Sequence, residues 1–209
     1  MNSPIYLPAP ALRHLGVAPY VPTWRAMQQF SAERVAATRD EIWFTQHPPV
    51  YTLGLAGKPA HLLRADTGIP LIKIDRGGQI TYHGPGQLVA YVLLDLKRRN
   101  LGVRALVRKL ESAVINLLGE YHITANYRTD APGVYVRDAK IAALGLRIKN
   151  GCCYHGLALN IDMDLTPYQA INPCGYAGLA ITHLRDFGVS DTFEIVSEKL
   201  SQQLLKVLP

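Results

Sequence analysis

Lys140-Ile141-Ala142-Ala143-Leu144-Gly145-Leu146-Arg147-Ile148-Lys149-Asn150-Gly151 is followed by a second, mostly apolar run from Cys152 to Ile161. Asn-Gly between two such runs predicts a hairpin, because the type I′ turn needs φ > 0 at both central residues. Upstream, Ala131-Pro132-Gly133 leads into Val134-Tyr135-Val136, and Arg137-Asp138-Ala139 turns that run into the same long strand. Consecutive hairpins mean antiparallel pairing, unlike the strict βαβ alternation of a doubly wound fold. The expectation is an α+β fold, with a mixed and largely antiparallel sheet flanked by helices.

Further out, Val103, Leu106, Val107, Leu110, Val114, Leu117, Leu118 and Tyr121 recur at steps of three and four, which predicts an amphipathic helix. A first helix is expected to open at Pro22, with Thr23 as N-cap and Trp24, Met27, Phe30 and Val35 as its apolar face. A closing helix follows Asp191, which forms a candidate capping pair with Glu194, and carries Phe193, Val196, Leu200, Leu204 and Val207. Glu41 to Gln46 reads as a strand ended by His47-Pro48-Pro49, since proline cannot donate to a ladder. Val50 to Gly54 resumes an extended run. His47 and His61 read as loop residues, and Lys97-Arg98-Arg99 as a solvated strand end.

The 209 residues are 48% hydrophobic, enough to bury a core as one large domain or two small ones. No run of about 18 apolar residues appears, and Met1 to Pro10 lacks both a basic and an apolar leader region, which points to a cytoplasmic protein. Cys152, Cys153 and Cys174 are too few for a disulfide framework, and no C-x-x-C pair suggests zinc. The net charge of +6 favours acidic partners, although nothing gathers it into a block. Gly57-Lys58-Pro59 is not a phosphate loop: the spacing is incomplete and Pro59 stands where a hydroxyl is needed.

Two stretches carry candidate chemistry. Arg76-Gly77-Gly78-Gln79-Ile80-Thr81-Tyr82-His83-Gly84-Pro85-Gly86-Gln87 reads as a loop between two strands. It is longer than the usual hairpin loop of about 2–5 residues. Its glycines let a ligand approach the backbone, and Arg76, Thr81, His83 and Gln87 offer placed polar groups. Asn172-Pro173-Cys174-Gly175 presents an accessible thiol. A free thiol titrates near a pKa of about 8.5, so a nucleophilic cysteine needs a partner that takes its proton or stabilises its thiolate. His155, His183, His83 and Lys140 are the candidates. Lys140 opens a strongly apolar strand, where a solvated strand end competes with a functional cation. His155 fits a pocket or a core equally, and His183 reads as structural. Cys152 and Cys153, on opposite strand faces, read as small buried residues.

Four segments, Arg76 to Gln87, Lys140 to Gly145, His155-Gly-Leu-Ala-Leu-Asn160 and Ile171-Asn-Pro-Cys-Gly175, closely resemble the octanoyltransferases of lipoate biosynthesis. The resemblance implies the fold of the biotin and lipoate protein ligases, in a single catalytic domain over residues 1–209. It implies transfer of an octanoyl group from acyl carrier protein to a lysine of lipoyl domains, in 2-oxoacid dehydrogenases and the glycine cleavage H protein. Cys174 would carry the acyl thioester, with Lys140 as base or thiolate-stabilising partner. Arg76, Gly77, Gly78, Gln79, Ile80, Thr81, Tyr82, His83, Ala143, Leu144, Gly145, Gly156, Leu157 and Ala158 correspond to substrate-contacting positions. No cofactor, metal, nucleic acid or membrane is implied. Backbone N–H groups in the Gly-rich segments or beside Cys174 would serve as oxyanion donors.

Overall fold

The computed structural model describes residues 7–208, and the leader reading of Met1 to Pro10 falls largely outside them. Strand β1 (Ala11–Val17) passes through helix α1 (Tyr20–Ala32) into β2 (Glu41–Gln46), which pairs with β1 in parallel. Strands β3 (Val50–Leu53), β4 (Leu71–Lys73) and β5 (Ile80–His83) form a three-stranded sheet in the order β4-β3-β5. The chain returns through β6 (Gln87–Asp95) and α2 (Val103–Glu120), then adds β7 (Asn126–Tyr127), β8 (Gly133–Val136), β9 (Ala139–Lys149) and β10 (Cys152–Asn160). These complete a seven-stranded sheet in the order β1-β2-β6-β10-β9-β8-β7, antiparallel apart from the β1/β2 pair. Helix α3 (Phe193–Val207) closes the fold against α2.

The period-two alternation of β6 explains why both faces of the large sheet are covered. Leu88, Ala90, Val92 and Leu94 join one core with Leu106, Leu110, Val114 and Leu117 of α2 and Val196, Leu200 and Leu204 of α3. The intervening Val89, Tyr91 and Leu93 join another with Met27 of α1, Trp43 and Tyr154. The expected hairpin is present: Lys149 pairs with Cys152, and Asn150 and Gly151 both adopt positive φ.

Three local expectations are corrected. Helix α1 begins at Tyr20, not Pro22; Thr23 lies in its first turn and donates its hydroxyl to Pro19 O, while Val35 lies beyond the helix and is exposed. Pro22 is tolerated there because first-turn N–H groups have no helical partner. The N-cap of α3 is Thr192, whose hydroxyl accepts from Ile195 N; Asp191 instead accepts from Tyr121 Oη and Lys199 Nζ. Arg98 and Arg99 are not a free solvated end. Both bind Asp40, at 2.8 and 2.5 Å, and Arg34 binds the same carboxylate, which is 1% exposed. A charge taken out of water needs such pairing and hydrogen bonding.

Candidate active site

A cavity of about 370 Å³ lies between the two sheets, within the range of small-molecule sites. Arg76, Gly77, Gly78, Gln79, Ile80, Thr81 and His83 line one side, Ala143, Leu144, Gly145, Gly156, Leu157 and Ala158 another, and Lys140 and Cys174 also border it. Of the positions named from sequence, Tyr82 and Gln87 stand apart, Gln87 being buried against His83, Asn160 and Tyr168. The Tyr82 ring packs with Ile80, Tyr51 and Tyr168 in the core of the smaller sheet, on the face of β5 opposite Thr81 and His83. The Gly-rich stretch is therefore not one loop: Ile80–His83 forms β5.

The turn before β5 is fixed to both sheets. Arg76 O accepts from Leu55 N, and Gly77 N donates to Leu146 O at 2.8 Å, joining this turn to β9. Arg76 is itself buried, with Nη2 donating to Thr52 O and Thr52 Oγ1 at 2.8 Å. It fits only because Gly145 faces it; a Cβ there would lie 2.9 Å from Arg76 Cδ. Gly145 pairs across the ladder with Gly156, whose own Cβ would fall 2.0 Å from Ala90 O. The facing glycines leave this part of the sheet bare.

Cys174 sits on a short 3-10 turn, Pro173–Gly175, with φ 56° and ψ 15°. A non-glycine residue held in that left-handed region stores about 1–3 kcal/mol of strain, which the surroundings must overcome. They do so through His61, which sequence placed in an ordinary loop: its carbonyl accepts from Asn172 N at 2.8 Å. Lys140 Nζ lies 3.0 Å from Cys174 Sγ and 3.1 Å from Pro132 O. Burial would lower the Lys140 pKa, but the sulfur beside it, helped by the Tyr135 phenol group, outweighs this and holds the ammonium above its ordinary range. Among the partners left open by the sequence, Lys140 is the one brought to the thiol. His155 binds Asp75, His83 binds Gln87 and His183 binds Asp186. The amides after Cys174 are engaged within the turn, Gly175 N with Asn172 O and Tyr176 N with Pro173 O.

Sequence reasoning missed a buried polar floor. His47, read as a loop residue, is fully buried, with Nδ1 on Ala18 O and Nε2 on Tyr91 Oη, each at 2.6 Å. Asp75 joins Trp24, Gln28, Tyr154 and His155. Burial opposes its ionisation, yet hydrogen bonds from His155, Tyr154, Gln28 and Trp24 prevail and hold it far below the usual carboxylate range. Burial also lowers His47 to about 4 and His83 to about 3. Unfolded histidine titrates near 6.5, so below that pH the unfolded chain takes protons that the fold refuses. Stability is therefore complete above about pH 6.5 and falls toward pH 4. Urea unfolding at pH 5 is expected to give a free energy lower than at pH 7 by about 2 kcal/mol for each histidine. An unchanged unfolding free energy between these pH values would contradict the assignment of neutral buried rings.

Two sheets sharing one cavity in this way form the fold of the lipoate and biotin protein ligases. A bipartite lipoate protein ligase from Thermoplasma acidophilum, described with its E2 lipoyl domain, superposes with a TM-score of 0.78 at 17% identity, covering 97% of this chain and 84% of that one. The biotin protein ligase of Aquifex aeolicus superposes with a TM-score of 0.56 at 15% identity, covering 95% and 68%. In sequence, residues 20–205 match the lipoyl protein ligase A/B catalytic domain. An octanoyltransferase of Azoarcus sp. (strain BH72) is 63% identical over 198 residues, 95% of this chain and 87% of that protein. The chain belongs to the lipoyl protein ligase A/B catalytic domain family and, within it, to the octanoyltransferases.

Proposed function

We propose that this acyltransferase moves an octanoyl group from acyl carrier protein to a lysine of lipoyl domains through a thioester on Cys174, within a single catalytic domain over residues 1–209. The observation that carries this reading is the 3.0 Å contact between Lys140 Nζ and Cys174 Sγ at the cavity. The reacting form of the pair is thiolate and ammonium, one proton having passed from Cys174 Sγ to Lys140 Nζ. The thiolate attacks the donor thioester carbonyl; as the donor C–S bond breaks, its sulfur takes a proton from Lys140. An acyl-enzyme and a neutral Lys140 result. The acceptor amine then attacks the new thioester and passes a proton to Lys140 as the bond to Cys174 Sγ breaks, restoring the ion pair. Covalent catalysis of this kind divides one difficult transfer into two easier ones. The Arg76 to Gln79 side of the cavity, apart from Gly77 N, which Leu146 O already holds, is assigned to the oxyanion.

The acceptors proposed are lipoyl domains of 2-oxoacid dehydrogenases and the glycine cleavage H protein. A fold shared with a ligase described alongside its E2 lipoyl domain supports that choice. The net charge of +6 suits acidic protein partners by electrostatic steering. A cytoplasmic setting is proposed because a thiol nucleophile needs a reducing compartment. Among the described residues, no helix is long and apolar enough to cross a membrane. Incubation with octanoyl acyl carrier protein should place one octanoyl group on the peptide containing Cys174, read by intact-mass and peptide mass spectrometry. No adduct, or an adenylate requirement for transfer, would reject the proposal.

A further inference from the structure

We propose that Glu111 is a positioning residue for the Lys140–Cys174 pair, acting through the peptide bond between Pro132 and Gly133. This inference rests on the acyl-enzyme reading above. Glu111 projects from α2 into the core and is fully buried. Its Oε1 accepts from Gly133 N at 3.0 Å, and its Oε2 from Arg108 Nη1 at 2.6 Å. The carbonyl of that same peptide unit, Pro132 O, accepts from Lys140 Nζ at 3.1 Å, and Nζ in turn lies 3.0 Å from Cys174 Sγ. Carboxylate, peptide, ammonium and sulfur thus form one connected line.

Hydrogen bonds in series polarise one another. A carboxylate on the N–H side of a peptide draws that hydrogen and leaves more negative charge on the carbonyl oxygen. The bond from the Lys140 ammonium to Pro132 O is strengthened accordingly, which favours the charged form of the lysine and hence the thiolate. The peptide is also a steric rest for the side chain: a Cβ at Gly133, where φ is 148°, would lie 2.8 Å from Lys140 Cε. A carboxylate suits this position because each of its oxygens can accept. A glutamine has one acceptor, so either Gly133 N or Arg108 would meet an amide NH₂. Arg108 is 40% exposed at its side chain, which leaves Gly133 as the inward reason for burying the acid.

The test uses the full chain with octanoyl acyl carrier protein and a lipoyl domain. Glu111→Gln is expected to lower kcat about tenfold, the difference between a charge-assisted and a neutral hydrogen bond, with both KM values nearly unchanged. The iodoacetamide alkylation rate of Cys174, followed on its own peptide, should fall by a similar factor. Glu111→Asp keeps the charge but is one methylene short of Gly133 N, so it should shift both rates in the same direction; it carries the test if the glutamine variant does not fold. Parental kcat and alkylation rate in either folded variant would overturn the inference, as would a raised KM at constant kcat. A parental protein that forms no adduct on Cys174 would instead overturn the acyl-enzyme reading.

Discussion

Cys174→Ala is expected to abolish octanoyl transfer, with a loss of at least about a thousandfold and no adduct detectable by mass. In the proposed scheme the alanine removes the one atom of the enzyme that bonds to the acyl group, Cys174 Sγ. Lys140 cannot substitute as a carrier, because an acyl group on its amine is a stable amide that the acceptor lysine does not displace. Binding should survive, since the cavity walls at Arg76 to Thr81, His83, Ala143 to Gly145 and Gly156 to Ala158 are untouched. The variant should therefore still compete with the parental enzyme for octanoyl acyl carrier protein while forming no product itself. Transfer that continues at the parental rate in Cys174→Ala would reject the covalent route.

Lys140→Met should slow acylation of Cys174 by about 10²–10³, the usual contribution of a positioned proton donor and acceptor. Methionine matches the length and burial of the lysine stem while deleting the charge. The fold should be retained, because the strand at this point is held by main-chain bonds: Lys140 N donates to Ala180 O and Lys140 O accepts from Thr182 N. Lys140→Arg is not expected to restore activity, since a planar fork cannot give up its proton and does not occupy the place of a compact ammonium. Single-turnover acylation measured by quenched mass spectrometry separates the steps. Undiminished acylation across neutral pH in Lys140→Met would remove the residue from the mechanism.

Legibility in the sequence followed the range of the interactions. The β9/β10 hairpin and the heptad-like apolar stripe of α2 were readable because their signals are local, a two-residue turn and a 3.6-residue period. Cys174 and Lys140 were readable as a pair only through motif resemblance; residue chemistry alone left three histidines beside the lysine. Features set by distant contacts were hidden. His47 looks like a turn residue until Ala18 and Tyr91 close over it, and Arg98 and Arg99 look solvated until Asp40 meets them. Tyr82 was grouped with its neighbours because the resemblance covers a continuous segment, whereas its side chain faces the core of the smaller sheet. Glu111 did leave a trace: it stands at helical spacing between Val107 and Val114, on the apolar side of α2, where an unexplained acid is a question about its partner.

The segment bearing Cys174 is fastened at both ends to different parts of the molecule. Asn172 N is bound to His61 O, and Leu62 bridges to Ile171, while Ala180 and Thr182 are bound to the backbone of Lys140 in the large sheet. A segment anchored this way acts as a caliper. Any slippage between its two anchorages is converted into a change in the spacing of sulfur and amine, so reactivity of the thiol becomes a direct gauge of whether the halves of the molecule are in register.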